Sequence, residues 1–365
     1  MRSSKKILYL YKTPRKNIYS DWKSGIGPDT ALYGANHLEK LGYKVDIFDL
    51  GFSKLNPFRW LTYPFHFIFA KATGIGFNLS QALSLLFLLN KYDFIVSTMD
   101  SAGLPLLILK KFKLLKKPLI YISIDFVNRI EENKHKWPFP QIKKYLRFAD
   151  CIICYSKAEQ NLLRKINKKT YFLAPGTDIN FFKSKKPFQY HKNKKPVVLA
   201  FGRDKDRDYK TFVDAIENID CKGRIVTSKD NIKNIKIPKN VSVSFDVSPI
   251  NLKKIIISSD IIVIPLNDVD RATGQLSLLD SLSCKKPVIV SKIDSILSTY
   301  NLRDNVDCIY VQPASSKDLT IKIKKLLNDR ENYKKISYNA FKQVQNFSTQ
   351  SFALNLSKII NTLPR

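Results

Sequence analysis

The sequence predicts an α/β protein made of two Rossmann-like parallel-sheet domains that face each other across a cleft. Three observations carry this. Short runs of Ile, Leu, Val, Phe and Tyr alternate with segments of helical periodicity. The alternation stops at a polar stretch, Tyr190-His-Lys-Asn-Lys-Lys-Pro196, and starts afresh at Val197. The 365 residues suffice for two cores, each of domain size.

Lys6–Tyr11 is the first strand, an unbroken apolar run. A polar, Gly-bearing loop follows over Ser20–Asp29. Thr30–Leu41 is read as a helix because Leu32, Ala35, Leu38 and Leu41 recur at helical spacing, and Gly42 stops it. Tyr43–Phe48 is the next strand, so the opening is a βαβ unit. Further strands fall at Phe94–Ser97, Leu119–Ile124, Asp150–Tyr155 and Thr170–Leu173. The second half supplies strands Val197–Phe201, Arg224–Thr227, Val241–Phe245, Ile261–Pro265 and Pro287–Ser291. Its helices are Tyr209–Ile216, Ile250–Ser258 and Gln275–Ser283, with a helical tail from about Tyr333 to Leu363. The boundary between the halves lies near 180–195. Ligands of open parallel sheets bind at the carboxyl ends of the strands, so each half is expected to supply one wall of one site.

Composition excludes a disordered or fibrous chain: 44% of residues are hydrophobic and 25% charged. No apolar run reaches the ~18 residues of a spanning helix. The basic start lacks a signal-peptide core and cleavage site, so a cytoplasmic N-terminus is expected. Five scattered Cys, an odd number, argue against a disulfide framework, and Cys151-Ile-Ile-Cys154 lies within a strand-like run without a second Cys pair or His partner. Lys and Arg number 62 against 31 Asp and Glu, a net charge of +31. The excess is spread evenly over both halves. It fits either a general compositional bias or attraction to polyanions such as nucleotide phosphates or a membrane surface. No concentrated basic face or nucleic-acid module accompanies it, so nucleic acid is not expected as a partner.

Three segments are candidates for chemistry. Gly25-Ile-Gly27 precedes a helix and could let a ligand approach the backbone; an ordinary turn is the alternative. Gly202-Arg-Asp-Lys-Asp-Arg207 follows a strand, and two guanidiniums there could clamp a diphosphate. The alternative is that Arg and Asp neutralise one another on a solvated loop. Thr273-Gly274-Gln275 opens a helix after strand Ile261–Pro265, where a hydroxyl and helix-start N–H groups make an anion cradle. Asp280, within that helix, suits a ribose diol; an N-cap and a surface acid are the plainer readings of Thr273 and Asp280. No His, Cys or carboxylate cluster has metal-ligand spacing, so no metal is expected.

At Arg271–Ser291 the chain resembles the nucleotide-binding domain of family 4-type glycosyltransferases of the GT-B fold. Those enzymes carry Glu-x7-Glu at a Gly-containing helix start and then a Gly-Lys-Pro-Val-Ile strand entry. Gly202, Arg203 and Arg207 match their diphosphate-holding positions, and Pro175–Phe182 resembles their interdomain Pro-x-Gly-x-Asp-x-x-x-Phe. Val247 and Ser248 fall where they line the base pocket, and Gly25–Pro28 matches their first Gly loop. The resemblance implies an acceptor-side domain over 1–185, a nucleotide-sugar domain over 186–345, and a terminal helix over 346–365 that crosses back. It implies transfer of a hexose-type sugar from a UDP- or GDP-sugar, with retention of configuration and no metal or other cofactor. Asp125, in Ile122-Ser-Ile-Asp125, is the candidate acid or acceptor contact. Two departures stand out. Anchoring the acid pair on Asp280 puts Ala272 at its first position; anchoring on Gly274 puts Arg271 there and Leu279 at the second. Lys285-Lys-Pro stands where Gly-Lys-Pro is usual. A GT-B nucleotide-sugar epimerase is the alternative enzyme, although its acids and His have no counterpart here; a non-catalytic nucleotide-sugar or nucleic-acid binder is the alternative of another class.

Residues 55–90 mix aromatics with Arg, His and Lys, which suits either a helix lying in lipid headgroups or a core helix pair. With the net charge, this leads to the expectation of a lipid-linked or envelope-glycan acceptor for polysaccharide biosynthesis, reached at an anionic membrane surface by a peripheral protein.

Overall fold

The computed structural model describes residues 4–50, 56, 58–124, 126–184, 195–269 and 271–364. Asp125 lies outside the described residues. The chain divides into two compact units, one of Met1–Lys23, Asp29–Ala174 and Thr349–Arg365, the other of Ser24–Pro28 and Pro175–Ser348.

The first unit holds a six-stranded sheet. Its strands are β1 (Lys6–Tyr11), β2 (Lys44–Asp49), β3 (Phe94–Ser97), β4 (Leu119–Ile122), β5 (Cys151–Cys154) and β6 (Thr170–Phe172). They run in the order β2-β1-β3-β4-β5-β6. Every pairing is parallel; Ile7, for example, faces Val45 on one side and Phe94 on the other. Both faces are covered, which is why β3, β4 and β5 are buried at every position and apolar but for Ser97 at the end of β3. Cys151 and Cys154 are buried thiols of β5. Three residues apart on a strand, their side chains leave opposite faces, so the pair forms no shared site.

The second unit repeats the plan. It contains β7 (Val197–Phe201), β8 (Lys222–Val226), β9 (Val241–Ser244), β10 (Ile261–Ile264), β11 (Val288–Ser291) and β12 (Ile309–Val311), in the order β12-β11-β10-β7-β8-β9. All are parallel, with Ile262 beside both Leu199 and Val288. One side packs Val198, Ala200, Val263 and Ile289 against Phe212, Ile216, Ile323 and Ile336 from the helices. The chain runs outward from β7 through β8 and β9, then returns to the other side of β7 for β10. The order therefore reverses between β7 and β10, the place where open α/β sheets bind ligands.

Local structure departs from the sequence reading in a few places. The first four residues of the loop expected over Ser20–Asp29 are the end of a helix, Lys16–Lys23. The expected helix over 30–41 is broken into a 3₁₀ turn, Thr30–Leu32, and a helix, Ala35–Lys40. Tyr33 and Gly34 both take left-handed backbone angles at the break, φ 50° and 80°. A Cβ on Gly34 would sit 3.0 Å from that of Ala353, so the glycine admits the helix Thr349–Thr362. That terminal helix is part of the first unit, where Phe352 packs edge-on to Tyr155. The tail is two helices, Arg330–Val344 and Thr349–Thr362, with Ser348 extended between them. Lys285 takes a left-handed φ of 58° just after the helix Gln275–Ser283, so the backbone keeps a glycine-like turn without a glycine.

Candidate functional site

The candidate site is a pair of loops at the carboxyl ends of β7 and β10, at the order reversal of the second sheet. The loop after β7 runs from Gly202 to Asp208. The loop after β10 runs from Pro265 to Gly274. Backbone bonds knit them: the Asp208 N–H donates to the Pro265 carbonyl at 3.0 Å and the Asn267 N–H to the Asp206 carbonyl at 2.9 Å.

Gly202 has φ 142°, and a Cβ there would fall 2.2 Å from Cζ of Arg207. Only glycine lets that guanidinium lie against the backbone. The Gly202 carbonyl is fixed by the hydroxyls of Tyr209 and Thr227, each at 2.7 Å. Arg207 is buried, with Nε donating to Asp204 at 2.7 Å and Nη2 to Ser277 Oγ at 2.9 Å. Its Nη1 is buried and has no hydrogen-bond partner. A charged donor left unpaired inside a protein is costly, and an anionic oxygen would relieve that cost.

Asp204 is the keystone of the loop. It accepts from Arg207 and, at 2.6 Å, from the Thr273 hydroxyl, which ties the two loops together by side chains. Burial opposes its charge, but Arg207 and the Thr273 hydrogen bond outweigh burial and hold its carboxyl below the usual range. Thr273 therefore spends its hydroxyl on Asp204 rather than on a helix cap. Gly274 occupies the cap position with φ 70°, and a Cβ there would meet a Leu266 methyl at 2.8 Å. Gln275 turns its amide to Thr299 at 3.4 Å. What remains for an anion at this helix start is the backbone N–H groups of its first turn.

Arg203 behaves differently from Arg207. It is exposed, and its partner is the equally exposed Asp246 at 3.2 Å. Such a surface pair is worth about 0–1 kcal/mol, so Arg203 can exchange it for a better anion. The arginines of this loop pair with aspartates, as the neutralising alternative has it, but Arg207 is buried rather than solvated. Val247 is half-buried and Ser248 exposed at the start of the helix Pro249–Ser258.

Asp280 is partly buried and accepts the Thr177 hydroxyl at 2.5 Å. Burial pushes its carboxyl up to about 7; the Thr177 bond pulls it down and Asp178 adds to the rise. Thr177 is wholly buried, and its N–H donates to the Phe347 carbonyl at 2.9 Å. The Tyr300 hydroxyl is buried without a partner, and burial and then the charge of Asp280 raise its phenol well above the ordinary value.

The structure therefore brings Gly202, Arg207, Thr273 and Gly274 into one bonded unit, and sets Arg203 at its exposed edge. Gly25 is exposed with φ 71° and Gly27 is buried; both lie in Ser24–Pro28, which clusters with the second unit. Neither starts a helix, because Asp29 and the 3₁₀ turn Thr30–Leu32 follow. Sequence reasoning missed Asp204, Asp206, Thr177 and Ser277. The Arg-Asp alternation was a signal for the first two. Nothing in the sequence joins Arg207 to Ser277, 70 residues away. Arg271, which takes the first-acid position when the pair is anchored on Gly274, is ion-paired with Asp206. Among the described residues no group of three His, Cys, Asp or Glu could hold a metal ion.

Two family models match the chain. Residues 30–181 match "Glycosyltransferase Family 4" and residues 182–343 match "Glycosyl transferases group 1". No curated protein matches it by sequence. Solved structures share the fold. HepE from Anabaena, in complex with UDP-glucose, has a TM-score of 0.70 and 16% identity, covering 98% of this chain and 100% of that one. Sucrose-phosphate synthase from Thermosynechococcus elongatus has 0.69 and 16%, covering 98% of both chains. The lipopolysaccharide outer core galactosyltransferase WaaB, in its apo form, has 0.65 and 11%, covering 98% and 99%. With both halves matched by glycosyltransferase models and the whole length matched by that fold, the chain belongs to the GT-B glycosyltransferases of the family 4-like type.

Proposed function

We propose that this glycosyltransferase moves a hexose-type sugar from a nucleotide diphosphate sugar to a hydroxyl of a lipid-linked or envelope glycan, with retention of configuration and without a metal. The observation that carries the donor side is the buried Arg207, whose Nη1 has no partner, at the order reversal of its sheet. In this reading Arg207 and Arg203 hold the diphosphate, and the first-turn N–H groups behind Thr273, Gly274 and Gln275 add to the cradle. Asp280 accepts the ribose hydroxyls, Val247 and Ser248 border the base, and Gly25 and Gly27 approach the donor. Asp125 contacts the acceptor. UDP is the favoured nucleotide over GDP, because HepE is solved with UDP-glucose and with UDP.

As the glycosidic bond breaks, negative charge grows on the leaving diphosphate. Preorganised guanidinium and backbone donors stabilise that charge more than they stabilise the ground state, which lowers the barrier. The epimerase alternative is not favoured, since both matching family models are transferases. The net charge of +31 supports a membrane-borne acceptor, since an anionic leaflet attracts a basic protein. The test is calorimetry with UDP, GDP, ADP and CMP in chelator, followed by turnover of the matching nucleotide sugar and NMR of the product anomer. Binding of one nucleotide that Arg207→Ala weakens at least tenfold is expected. Failure of every nucleotide to bind the folded protein would sink the donor reading, and an inverted anomer would sink retention.

A further inference from the structure

The helix Arg59–Thr73 is built inside out. Thr62, His66, Phe69 and Thr73 recur at spacings of four, three and four and form its inner face, buried or half-buried. Three of the four are polar and are satisfied locally: the Thr62 and Thr73 hydroxyls donate to the Phe58 and Phe69 carbonyls at 2.8 and 2.7 Å, and His66 Nδ1 lies 2.9 Å from the Phe77 carbonyl. The outer face carries Trp60, Leu61, Pro64, Phe65, Phe67 and Ile68. Trp60 is 87% exposed, Leu61 71% and Phe65 64%. A water-facing helix has the opposite arrangement, so this one is made for an apolar neighbour on its outside.

Charge decides which neighbour. No Asp or Glu occurs between Asp49 and Asp93, whereas Lys54, Arg59, Lys71 and Lys91 lie in that stretch. Whatever covers the face meets no carboxylate from it and a chain of net charge +31 behind it. A second copy would bring the same excess positive charge against it. An anionic bilayer attracts that charge and accepts Trp, Tyr and Phe side chains at the level of its headgroups. At 15 residues the helix is too short to span, and among the described residues no helix is long and apolar enough to cross a membrane.

We propose that the outer face of Arg59–Thr73 lies in the headgroup–acyl boundary of an anionic bilayer and anchors the enzyme there. The proposal deepens the lipid-linked acceptor reading above and rests on it for its purpose. An apolar face and a diffuse positive charge are two weak signals that together give reversible anchoring.

The test is flotation with vesicles of phosphatidylcholine and phosphatidylglycerol at a ratio of about 7:3, at low and high salt. Wild type is expected to float at low salt. The double variant Trp60→Ser/Phe65→Ser is expected to lose about 100-fold in partition, since each large apolar side chain withdrawn is worth about tenfold. Its UDP-glucose affinity, measured by calorimetry, stays unchanged. Should that variant fold poorly, bromine-labelled lipids provide a second measurement. They are expected to quench wild-type tryptophan fluorescence, with most of the quenching lost in Trp60→Phe. Wild type left unbound at low salt, undiminished partition of the double variant, or quenching unaltered in Trp60→Phe would each overturn the proposal. So would a wild-type dimer that the double variant dissolves. A protein that floats but binds no nucleotide sugar would uphold the surface and sink the transferase reading separately.

Discussion

The carboxyl of Asp280 is raised to about 7 by burial and by Asp178, with the Thr177 hydrogen bond opposing. Two linked effects follow. In the unfolded chain an Asp titrates near 3.9, so between pH 4 and 7 the folded protein holds a proton that the unfolded chain has lost. That stabilising contribution is full below about pH 4. It falls by ~1.4 kcal/mol per unit as pH rises and is gone above 7. Between pH 5 and 8 the loss is about 3 kcal/mol. Asp280→Asn keeps the shape and an oxygen for Thr177 but cannot titrate. Urea melts of wild type and variant at half-unit steps should therefore diverge, with the wild type losing about 3 kcal/mol relative to the variant over that range. The difference between the two proteins removes every other titrating group from the comparison.

The same carboxyl governs donor affinity if it accepts ribose hydroxyls, because hydroxyl donors favour the ionised form. Binding then expels a proton below pH 7. UDP-glucose is the suitable probe, since its diester diphosphate does not titrate near neutrality. Affinity should fall about 30-fold from pH 8 to 5.5 in wild type, as each unit below 7 costs about tenfold. In Asp280→Asn it should be weaker and flat. Calorimetry in buffers of different ionisation enthalpy would count the released proton directly. Parallel stability curves for the two proteins would refute the raised carboxyl, and a wild-type affinity independent of pH would refute its contact with the nucleotide.

Gly202→Ala should cost ~1–3 kcal/mol in urea stability and at least tenfold in UDP-glucose affinity, because the new Cβ lies 2.2 Å from Arg207 Cζ and expels the guanidinium. Arg207→Lys keeps the charge but not the fork that reaches Asp204 and Ser277 together. A tenfold or greater loss of affinity with an intact far-ultraviolet spectrum is expected, and full retention would show that charge alone suffices. Thr177→Val removes the one bond that lowers the Asp280 carboxyl, so the pH midpoint for UDP-glucose binding should move upward. A midpoint that stays in place or falls would exclude Thr177 as the group that tunes it.

The central parallel strands were readable because they are buried on both faces and so appear as apolar runs. Val197–Phe201 ends where its run ends. The helix Gln275–Ser283 was readable from the glycine that caps it. Breaks set by distant contacts were not readable. The helix over 30–41 is periodic in sequence, yet it breaks at Gly34 because Ala353, more than 300 residues later, packs there. Ile309–Val311 went unseen because three residues carry too little pattern to stand out. At the site, Arg203 and Arg207 look alike in sequence, four apart on one loop. Their environments differ because Gly202 lets one of them fold back under the loop, a backbone matter no side-chain pattern reports.

The alternation of Arg and Asp after β7 has a physical use. A lone guanidinium buried at the end of a sheet would pay several kcal/mol in lost hydration and would be held in no particular direction. Asp204 supplies a partner and fixes the plane of Arg207, while Thr273 fixes Asp204 in turn. The carboxylate takes up Nε and Ser277 takes up Nη2, which leaves Nη1 as the buried donor without a partner. Neutralisation and readiness for an anion are thus the same arrangement, since the aspartate offsets the cost of burial and aims the remaining donor. Arg203 has only the exposed Asp246 as a partner and stays at the surface. A buried, oriented arginine gives geometry; an exposed one gives reach. In the proposed mechanism Arg207 sets the direction of charge stabilisation on this loop, and Asp204 holds it in place. Asp204→Asn should accordingly loosen donor binding even though it removes a negative charge beside an anion, and tighter binding of UDP-glucose to that variant would show that simple charge balance governs the site instead.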